Sequence, residues 1–474
     1  MDEEHRADVA PNGAARPQRA AISQRRLTPR RGLRIVRSPL ASLTDDASCA
    51  GVVSYSGLGR QYVFAFGSGA VRELFTQPET FVADAFRELR VTDQSAMSRL
   101  SSGLLKLNGD RHRRHRQLMK PAFAARQVEK YTETIAQCAI DAAQDFEEGT
   151  LLDVSTTLSR LTLDVALRTI FDVNLGDEDG DAVHGLTTDL LRLGSNPLSF
   201  VIPFRLPGLP YQRLERTASE LERVLDHLIE ERRSSGDRDD LLGRLVSAVD
   251  DDGDGFTPGE LVAEAYTAFC HESSAAALTW TFLLLDQHPD VLRDLREEVA
   301  THLRPGQVPT VEMLGEMRLL DRVIMESLRL FPPAAFGLRY AATDGHLEDL
   351  PVQAGATVFF SPFASHRDPE VFDQPLRFDP SRWLREKPTT YQYFPFGAGP
   401  HNCLGRSYAL LEMRTILAVW LSHASLRTSS GTVVDPSVRI SLVPKDSLEM
   451  TVRANHQVSR TPISGSINNF VDLN

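Results

Sequence analysis

Hydrophobic residues recur at helical spacing through most of residues 120–335, which predicts amphipathic helices over the centre of the chain. Before this region, the short apolar runs of Val52–Phe66 flank a Ser-Gly-Leu-Gly turn and predict a β-hairpin. Further short strands are expected around Thr357–Ser361 and Val438–Val443. Asn196–Tyr211 holds four prolines among apolar residues, which is typical of a lid over a pocket or of a loop lying on a core. With no internal repeat, the pattern predicts a mainly α fold with small β-sheets.

One predicted helix is unusually long. It begins near Pro258 and stops before Pro289, so it spans about 31 residues, or roughly 46 Å. A helix of that length crosses a whole domain, and its middle is apolar on most sides. The residues that interrupt this apolar character are Glu264, Cys270, His271, Glu272, Ser273 and Ser274. Buried polar groups need partners, so they form either a hydrogen-bonded cluster in the core or a catalytic groove.

The acidic run before this helix imitates a calcium-binding loop. Asp250, Asp252, Asp254 and Gly255 occupy the first, third, fifth and sixth places, but Leu261 stands where the twelfth place needs a glutamate. Thr257–Glu260 instead forms the pattern of a helix-capping box with proline at the first helical position. We therefore interpret the run as a solvated turn that leads into the helix.

The composition narrows the class of protein. With 474 residues, 42% hydrophobic and 24% charged, the chain can bury a large core, and its net charge of −12 disfavours nucleic-acid binding. The four cysteines at 49, 138, 270 and 403 show neither the spacing of a zinc site nor that of a disulfide framework. A chain without disulfides is typical of the reducing cytoplasm. No apolar run predicts a membrane anchor or a secretion signal. The bias of 47 arginines against five lysines is typical of a high-GC bacterium.

Cys403 stands in FPFGAGPHNCLGR, between Gly399 and Gly405 and just before a predicted apolar helix. The positive end of a helix dipole favours a thiolate, and the flanking glycines let a flat object approach closely. A haem iron needs such a soft proximal ligand. A buried structural cysteine and a nucleophilic cysteine remain alternatives, although the chain offers no His-Asn or His-Asp partner pattern for a nucleophile.

The residues Phe396-x-x-Gly399-x-x-x-Cys403-x-Gly405 resemble the haem-ligand loop of the cytochrome P450 family. The resemblance to this family extends from about Val52 to Val452. Glu326-Ser327-Leu328-Arg329 resembles the ExxR helix of that family, and Phe378–Trp383 resembles the segment that supplies a second arginine. The resemblance implies the cytochrome P450 fold, with haem b between a long central helix and the Cys-ligand helix, and Cys403 as the iron ligand. It also implies a buried structural triad of Glu326, Arg329 and Arg382.

The resemblance further implies partners for the two haem propionates. Residues 109–116, GDRHRRHR, are similar to the family helix from which His112 and Arg116 reach a propionate. Arg339 matches another such position, and His401 stands where the family has arginine or histidine. Cationic and hydrogen-bonding side chains are the expected partners of carboxylates.

The long helix departs from the family pattern of Ala-Gly-x-acid-Thr over the haem, because the corresponding residues are Phe269-Cys270-His271-Glu272-Ser273. Glu272 and Ser273 retain an acid and a hydroxyl, and the resemblance implies that they deliver protons to bound oxygen. Phe269 and Cys270 replace small residues, so either the helix shifts slightly and ordinary oxygen activation survives, or the reaction becomes a desaturation, ring closure or rearrangement. We expect Phe269, Cys270 and Phe336 to line the substrate pocket.

The resemblance implies a haem-thiolate monooxygenase, active as a monomer on an apolar small molecule such as a terpenoid or polyketide natural product. Electrons would come from a separate ferredoxin and its reductase, since no flavin or iron–sulfur domain fits in the chain. The alternatives are a peroxide-driven or redox-neutral haem-thiolate catalyst and a non-catalytic haem-binding sensor. The expected organisation is a disordered Arg-rich tail over residues 1–45, one catalytic domain over 46–455 and a C-terminal tail over 456–474.

Overall fold

The computed structural model describes residues 20–57, 59–84, 95–194, 209–234, 240–269, 272–453 and 460–473. Helices dominate them, as the apolar spacing predicts. The α-helices are α1 Pro29–Arg37, α2 Pro39–Cys49, α3 Ser68–Thr76, α4 Ala96–Leu100, α5 Gly109–Met119, α6 Ala125–Val128, α7 Thr132–Ala142, α8 Val154–Ala166, α9 Glu178–Gly194, α10 Pro210–Ser234, α11 Leu241–Val246, α12 Pro258–Ala268, α13 Glu272–Gln287, α14 Pro289–His302, α15 Val311–Glu316, α16 Arg318–Leu330, α17 Pro362–Ser365 and α18 Arg406–His423.

The strands form small sheets at the edge of the helical body. They are β1 Ala20–Arg26, β2 Ala50–Gly57, β3 Arg60–Ala65, β4 Phe81–Val82, β5 Leu151–Asp153, β6 Gly337–Ala341, β7 Gly345–Leu347, β8 Leu350–Val352, β9 Thr357–Phe360, β10 Ser425–Thr428, β11 Pro436–Val438, β12 Leu442–Pro444 and β13 Glu449–Arg453. The largest sheet has the order β1-β2-β3-β9-β6-β4. The predicted hairpin at Val52–Phe66 is confirmed, since β2 pairs antiparallel with β3. The strand expected at Val438–Val443 is instead a hairpin of β11 and β12.

The core of the helical body surrounds α13 and α18. Every residue of α13 from Ser274 to Gln287 is buried. Two buried tryptophans fix these helices to their surroundings: Trp280 donates its indole N–H to the carbonyl of Leu442, and Trp420 donates to that of Ala139. Because tryptophan combines a large apolar ring with one donor, each contact both fills space and fixes orientation.

The expectation of one helix from Pro258 to Pro289 is wrong. α12 ends at Ala268, Phe269 leaves the helical conformation with φ −80° and ψ 51°, and α13 begins at Glu272. The N–H of Phe269 bonds to the carbonyl of Tyr266, which tightens the last turn and ends the helix. At the start of α12 the predicted capping box is present, with the Thr257 side chain and the Glu260 side chain each accepting from the other's backbone N–H.

The expectation of a disordered tail over residues 1–45 is wrong for residues 20–45, which form β1, α1 and most of α2. The buried carboxylate of Asp46 explains the arginines there. Arg31 lies 2.6 Å from Asp46 and Arg25 lies 3.5 Å from it, while Tyr55 donates to it at 2.8 Å. A buried carboxylate needs such partners, so these arginines belong to the fold.

The expected C-terminal tail over residues 456–474 is also wrong for its described part, 460–473. The apolar side chains of Ile463, Ile467, Phe470, Val471 and Leu473 are buried in the main core. In addition, the buried guanidinium of Arg367 donates to the carbonyl of Phe470 at 3.0 Å. The segment therefore completes the domain.

Candidate active site

A cavity of about 640 Å³ lies in the helical body. One part of its lining comes from α12 and α13, including Ala268, Ser273 and Ala277. Another part comes from the loop before α18, including Phe396 and Cys403. The lining is mostly apolar, which suits a flat hydrophobic group and a hydrophobic ligand above it.

The loop that carries Cys403 is held by its own backbone. The N–H of Cys403 donates to the carbonyl of Phe396 at 2.8 Å. Gly399 has φ +67°, and a Cβ there would lie 2.6 Å from the carbonyl oxygen of Phe75, so only glycine fits this turn without strain. The loop thus presents Cys403 to the cavity three residues before α18 begins.

Burial raises the pKa of the Cys403 thiol, whereas the N–H of Gly405 and the charges of Arg116 and Arg406 lower it. The helix-terminus donors expected from the sequence are therefore present, but burial outweighs them. A metal ion at the sulfur reverses that balance, because coordination deprotonates a thiol.

Four cationic or imidazole side chains gather at one end of the cavity: His112, Arg116, Arg339 and His401. The imidazole rings of His112 and His401 lie in contact, with centroids 3.9 Å apart and their planes tilted by 31°. Burial, reinforced by the charges of the nearby arginines, lowers the pKa of His112 to about 4 and that of His401 to about 3. Burial also lowers the pKa of Arg339 to about 10. The buried Nε2 of His112 has no hydrogen-bond partner among the described residues. This end of the cavity is therefore built for an anion.

The two residues proposed to move protons lie in the first turn of α13. Ser273 lines the cavity. Glu272 is half-buried, and its burial raises the pKa of the carboxyl group against the opposing effect of Arg439. A raised pKa means that the acid holds a proton more readily near neutral pH.

Of the three residues expected to line the substrate pocket, the structure places one at the cavity and one away from it. Phe336 lines the cavity. Phe269 does not line it, since its ring is buried in the core with its centroid 5.4 Å from that of Phe171. The turn that ends α12 directs this bulky side chain into the helical core. Cys270 and most of Asn196–Tyr211 lie outside the described residues.

The structure brings Glu326, Arg329 and Arg382 together in the core. Glu326 accepts from Arg329 at 2.9 and 3.0 Å and from Arg382 at 3.1 Å. All three side chains are at most 1% exposed. The same carboxylate accepts the N–H of Asp379 at 3.0 Å, so it joins α16 to the segment that precedes the cysteine loop.

A model described as Cytochrome P450 matches residues 47–452. The chain belongs to the cytochrome P450 family. Among curated relatives, cyclooctat-9-en-7-ol 5-monooxygenase of Streptomyces melanosporofaciens is 32% identical over 77% of this chain and 80% of its own. Pentalenene oxygenase of Streptomyces avermitilis is 34% identical over 66% of this chain and 71% of its own. The cyanobacterial CYP120A1 with bound retinoic acid superposes with a TM-score of 0.79 at 24% identity, over 89% of this chain and 96% of its own.

This P450 is a haem-dependent monooxygenase, and its cofactor is haem b with a cysteine thiolate ligand. The residues present fit the group, because the unpartnered Nε2 of His112 and the half-buried Arg339 need an anion where the haem carboxylates would lie. When bound, the haem supplies oxygen activation, strengthened by electron donation from the thiolate. No helix in the described parts of the chain is both long and apolar enough to cross a membrane.

Sequence reasoning missed Glu412, which is 2% exposed in α18 and lines the cavity. The available signal was an acid among Leu411, Met413 and other apolar residues, nine positions after Cys403. A lone acid in an apolar stretch identifies a buried polar group but gives neither its partner nor its role.

Proposed function

We propose that this P450 hydroxylates an apolar terpenoid, with a polyketide as the alternative natural-product class. The observation that carries the proposal is the cavity, in which an apolar lining contains one sulfur-bearing loop and one anion-seeking end. Two bacterial relatives support the substrate class, because their names give cyclooctat-9-en-7-ol and pentalenene as substrates.

In this proposal Cys403 is the iron ligand, and Phe396, Gly399 and Gly405 shape the loop that gives the haem room. His112, Arg116, Arg339 and His401 hold the haem carboxylates. Arg116 already donates to the carbonyl of Asn402 at 2.9 Å, so it also fixes the residue beside the cysteine. Glu326, Arg329 and Arg382 act in folding and haem retention rather than in bond making.

Glu272 and Ser273 are proposed to deliver protons on the substrate side of the cavity. Burial raises the pKa of Glu272, which favours its protonated form relative to an exposed glutamate, and the Ser273 hydroxyl offers a donor at the cavity wall. Because Phe269 packs away from the cavity, its bulk does not narrow the substrate space, which favours ordinary hydroxylation over a redirected reaction.

Electrons are proposed to come from a separate ferredoxin and its reductase. Reconstitution with a surrogate ferredoxin system, beside a reaction driven by hydrogen peroxide, tests this donor. Product formed with the ferredoxin system supports the proposal. Product formed with hydrogen peroxide at full rate, and none formed with the ferredoxin system, contradicts it.

Two measurements test the site and the substrate class. The reduced holoprotein under carbon monoxide should show the long-wavelength Soret band of thiolate ligation, and Cys403→Ser should abolish it while the exposed Cys49→Ser keeps it. Pentalenene and cyclooctat-9-en-7-ol should each shift the absorption spectrum of the ferric holoprotein when they bind. A substrate panel in which no terpenoid shifts the spectrum, while a polyketide does, would overturn the terpenoid assignment.

A further inference from the structure

Glu264 is a fully buried acid in α12 that the proposed function does not use. Both oxygens of its carboxylate have partners on other parts of the chain. Nδ1 of His115 on α5 donates to Oε1 at 2.7 Å, and the backbone N–H of Leu104 donates to Oε2 at 3.2 Å. A buried carboxylate needs such donors, so these contacts hold three parts of the chain in fixed positions relative to one another.

One of these parts forms a wall of the cavity. Residues 101–107, the wall segment, lie between α4 and α5, and Leu104 belongs to the cavity lining. The segment consists of turns, so contacts with other elements determine its position. It packs directly on α12, since a Cβ on Gly103 would lie 2.5 Å from Thr267 Oγ1 and 3.1 Å from Oε2 of Glu264. The absence of a side chain at Gly103 therefore permits the close approach in which Glu264 accepts the next N–H.

Another of these parts is the helix that carries two of the proposed partners of the haem carboxylates. His115 is 1% exposed and stands on α5 between His112 and Arg116, which both line the cavity. Its second ring nitrogen, Nε2, lies 3.2 Å from the carboxylate of Glu260, one turn earlier on α12. Because His115 holds one oxygen of Glu264, the acid fixes the wall segment relative to α5.

We propose that Glu264 is a positioning residue that sets how apolar ligands fit the cavity, by holding Leu104 in the cavity wall. The side chain of Glu264 lies outside the cavity lining, so it acts through Leu104 and not by touching the ligand. His115 supplies the fixed point, because its contact with Glu264 ties the wall to α5. The inference rests on the proposed function, since it assigns a specificity role within the same site.

The binding of two azoles to the ferric holoprotein tests the proposal without turnover. Imidazole and 4-phenylimidazole both bind iron through nitrogen, but only the second brings an apolar ring into the cavity. The ratio of their dissociation constants therefore reports the cavity wall rather than the iron. Glu264→Gln should weaken the binding of 4-phenylimidazole relative to imidazole by about 3- to 10-fold, the loss expected when a ligand gives up part of its contact with one leucine.

Glu260→Gln is the matched control. It makes the same change on the same helix and beside the same histidine, but Glu260 caps α12 at Thr257 and is not the acceptor of the Leu104 N–H. Glutamine also serves in a capping box, so the helix start is kept. The ratio of the two dissociation constants should therefore stay at the wild-type value.

A double-mutant cycle separates positioning from a general loss of stability. Leu104→Ala should weaken 4-phenylimidazole by a similar factor, and Glu264→Gln should add little to it, because the wall that Glu264 positions has already been removed. Gly103→Ala provides an independent variant should Glu264→Gln not fold. Its added Cβ would push the wall segment away from α12, so it should weaken 4-phenylimidazole in the same way.

An unchanged ratio in Glu264→Gln, or in Gly103→Ala where that variant is needed, would overturn the inference. An unchanged ratio in Leu104→Ala, full additivity in the double variant or equal weakening in Glu260→Gln would also overturn it. The carbon monoxide spectrum and the binding of imidazole alone, measured on the same samples, report the haem site. Their failure would instead count against the proposed function.

Discussion

Replacing Glu326 with glutamine tests the buried cluster most directly. The change keeps the shape of the side chain but removes the negative charge shared by Arg329 and Arg382, which are at most 1% exposed. In place of Oε2, which accepts from Arg329 Nε at 3.0 Å, the amide would present N–H donors to another donor. Three further contacts, from Arg329 Nη2, Arg382 Nε and the N–H of Asp379, would lose their ionic partner.

The expected cost follows from these four contacts. One charge-assisted hydrogen bond is lost, at about 1.5–3 kcal/mol, and three others weaken by several tenths of a kcal/mol to about 1 kcal/mol each. The total of about 3–5 kcal/mol agrees with the usual effect of removing one partner from a buried ion pair. Glu386, which also accepts from Arg382 at 3.0 Å, moderates the loss but is 20% exposed and reaches only one of the arginines.

Urea unfolding of the apoprotein and the holoprotein measures this difference through the transition midpoint and slope. Glu148→Gln is the matched control, because it breaks an ion pair with Arg453 of similar length, 3.1 Å, between side chains that are about half exposed. Exposed pairs contribute about 1 kcal/mol or less. If Glu326→Gln destabilised the protein no more than Glu148→Gln, the buried cluster would not stabilise the fold as argued.

Three further predictions follow from single residues. Gly399→Ala should lower the free energy of unfolding by about 2–3 kcal/mol, because alanine would have to adopt a positive φ and its Cβ would collide with the carbonyl of Phe75. As the control, Gly259→Ala in the open first turn of α12 should change the free energy of unfolding by less than about 1 kcal/mol. Arg339→Gln should speed haem transfer to apomyoglobin by about 10- to 100-fold, since it removes a charged partner worth about 1.5–3 kcal/mol; unchanged transfer would exclude a propionate contact. Burial raises the pKa of Glu412 to about 8. As the pH rises from about 4.5 to about 8, Glu412 should lower the free energy of unfolding by up to about 4–5 kcal/mol, because the folded state binds more protons than the unfolded state in that window. A Glu412→Gln variant whose free energy of unfolding varies with pH as steeply as that of the wild type would contradict this.

The sequence determined the parts of the site that depend on local spacing. The glycines around Cys403 and the i, i+3 placement of Glu326 and Arg329 are properties of a turn and of a helix, so the chain specifies them before it folds. The capping box at Thr257 was predictable for the same reason, since its partners are three residues apart.

Tertiary packing decided the rest. The Phe269 side chain points into the core because α12 ends just before it and because its ring packs on Phe171, which is distant in sequence. The arginines of residues 20–45 looked like a charged tail until the fold placed Arg25 and Arg31 against the buried Asp46. Likewise, Glu412 gains its raised pKa and its contact with Ser274 only when α18 packs on α13. The desolvation of a charge depends on every neighbour around it, and no local pattern in the chain encodes that environment.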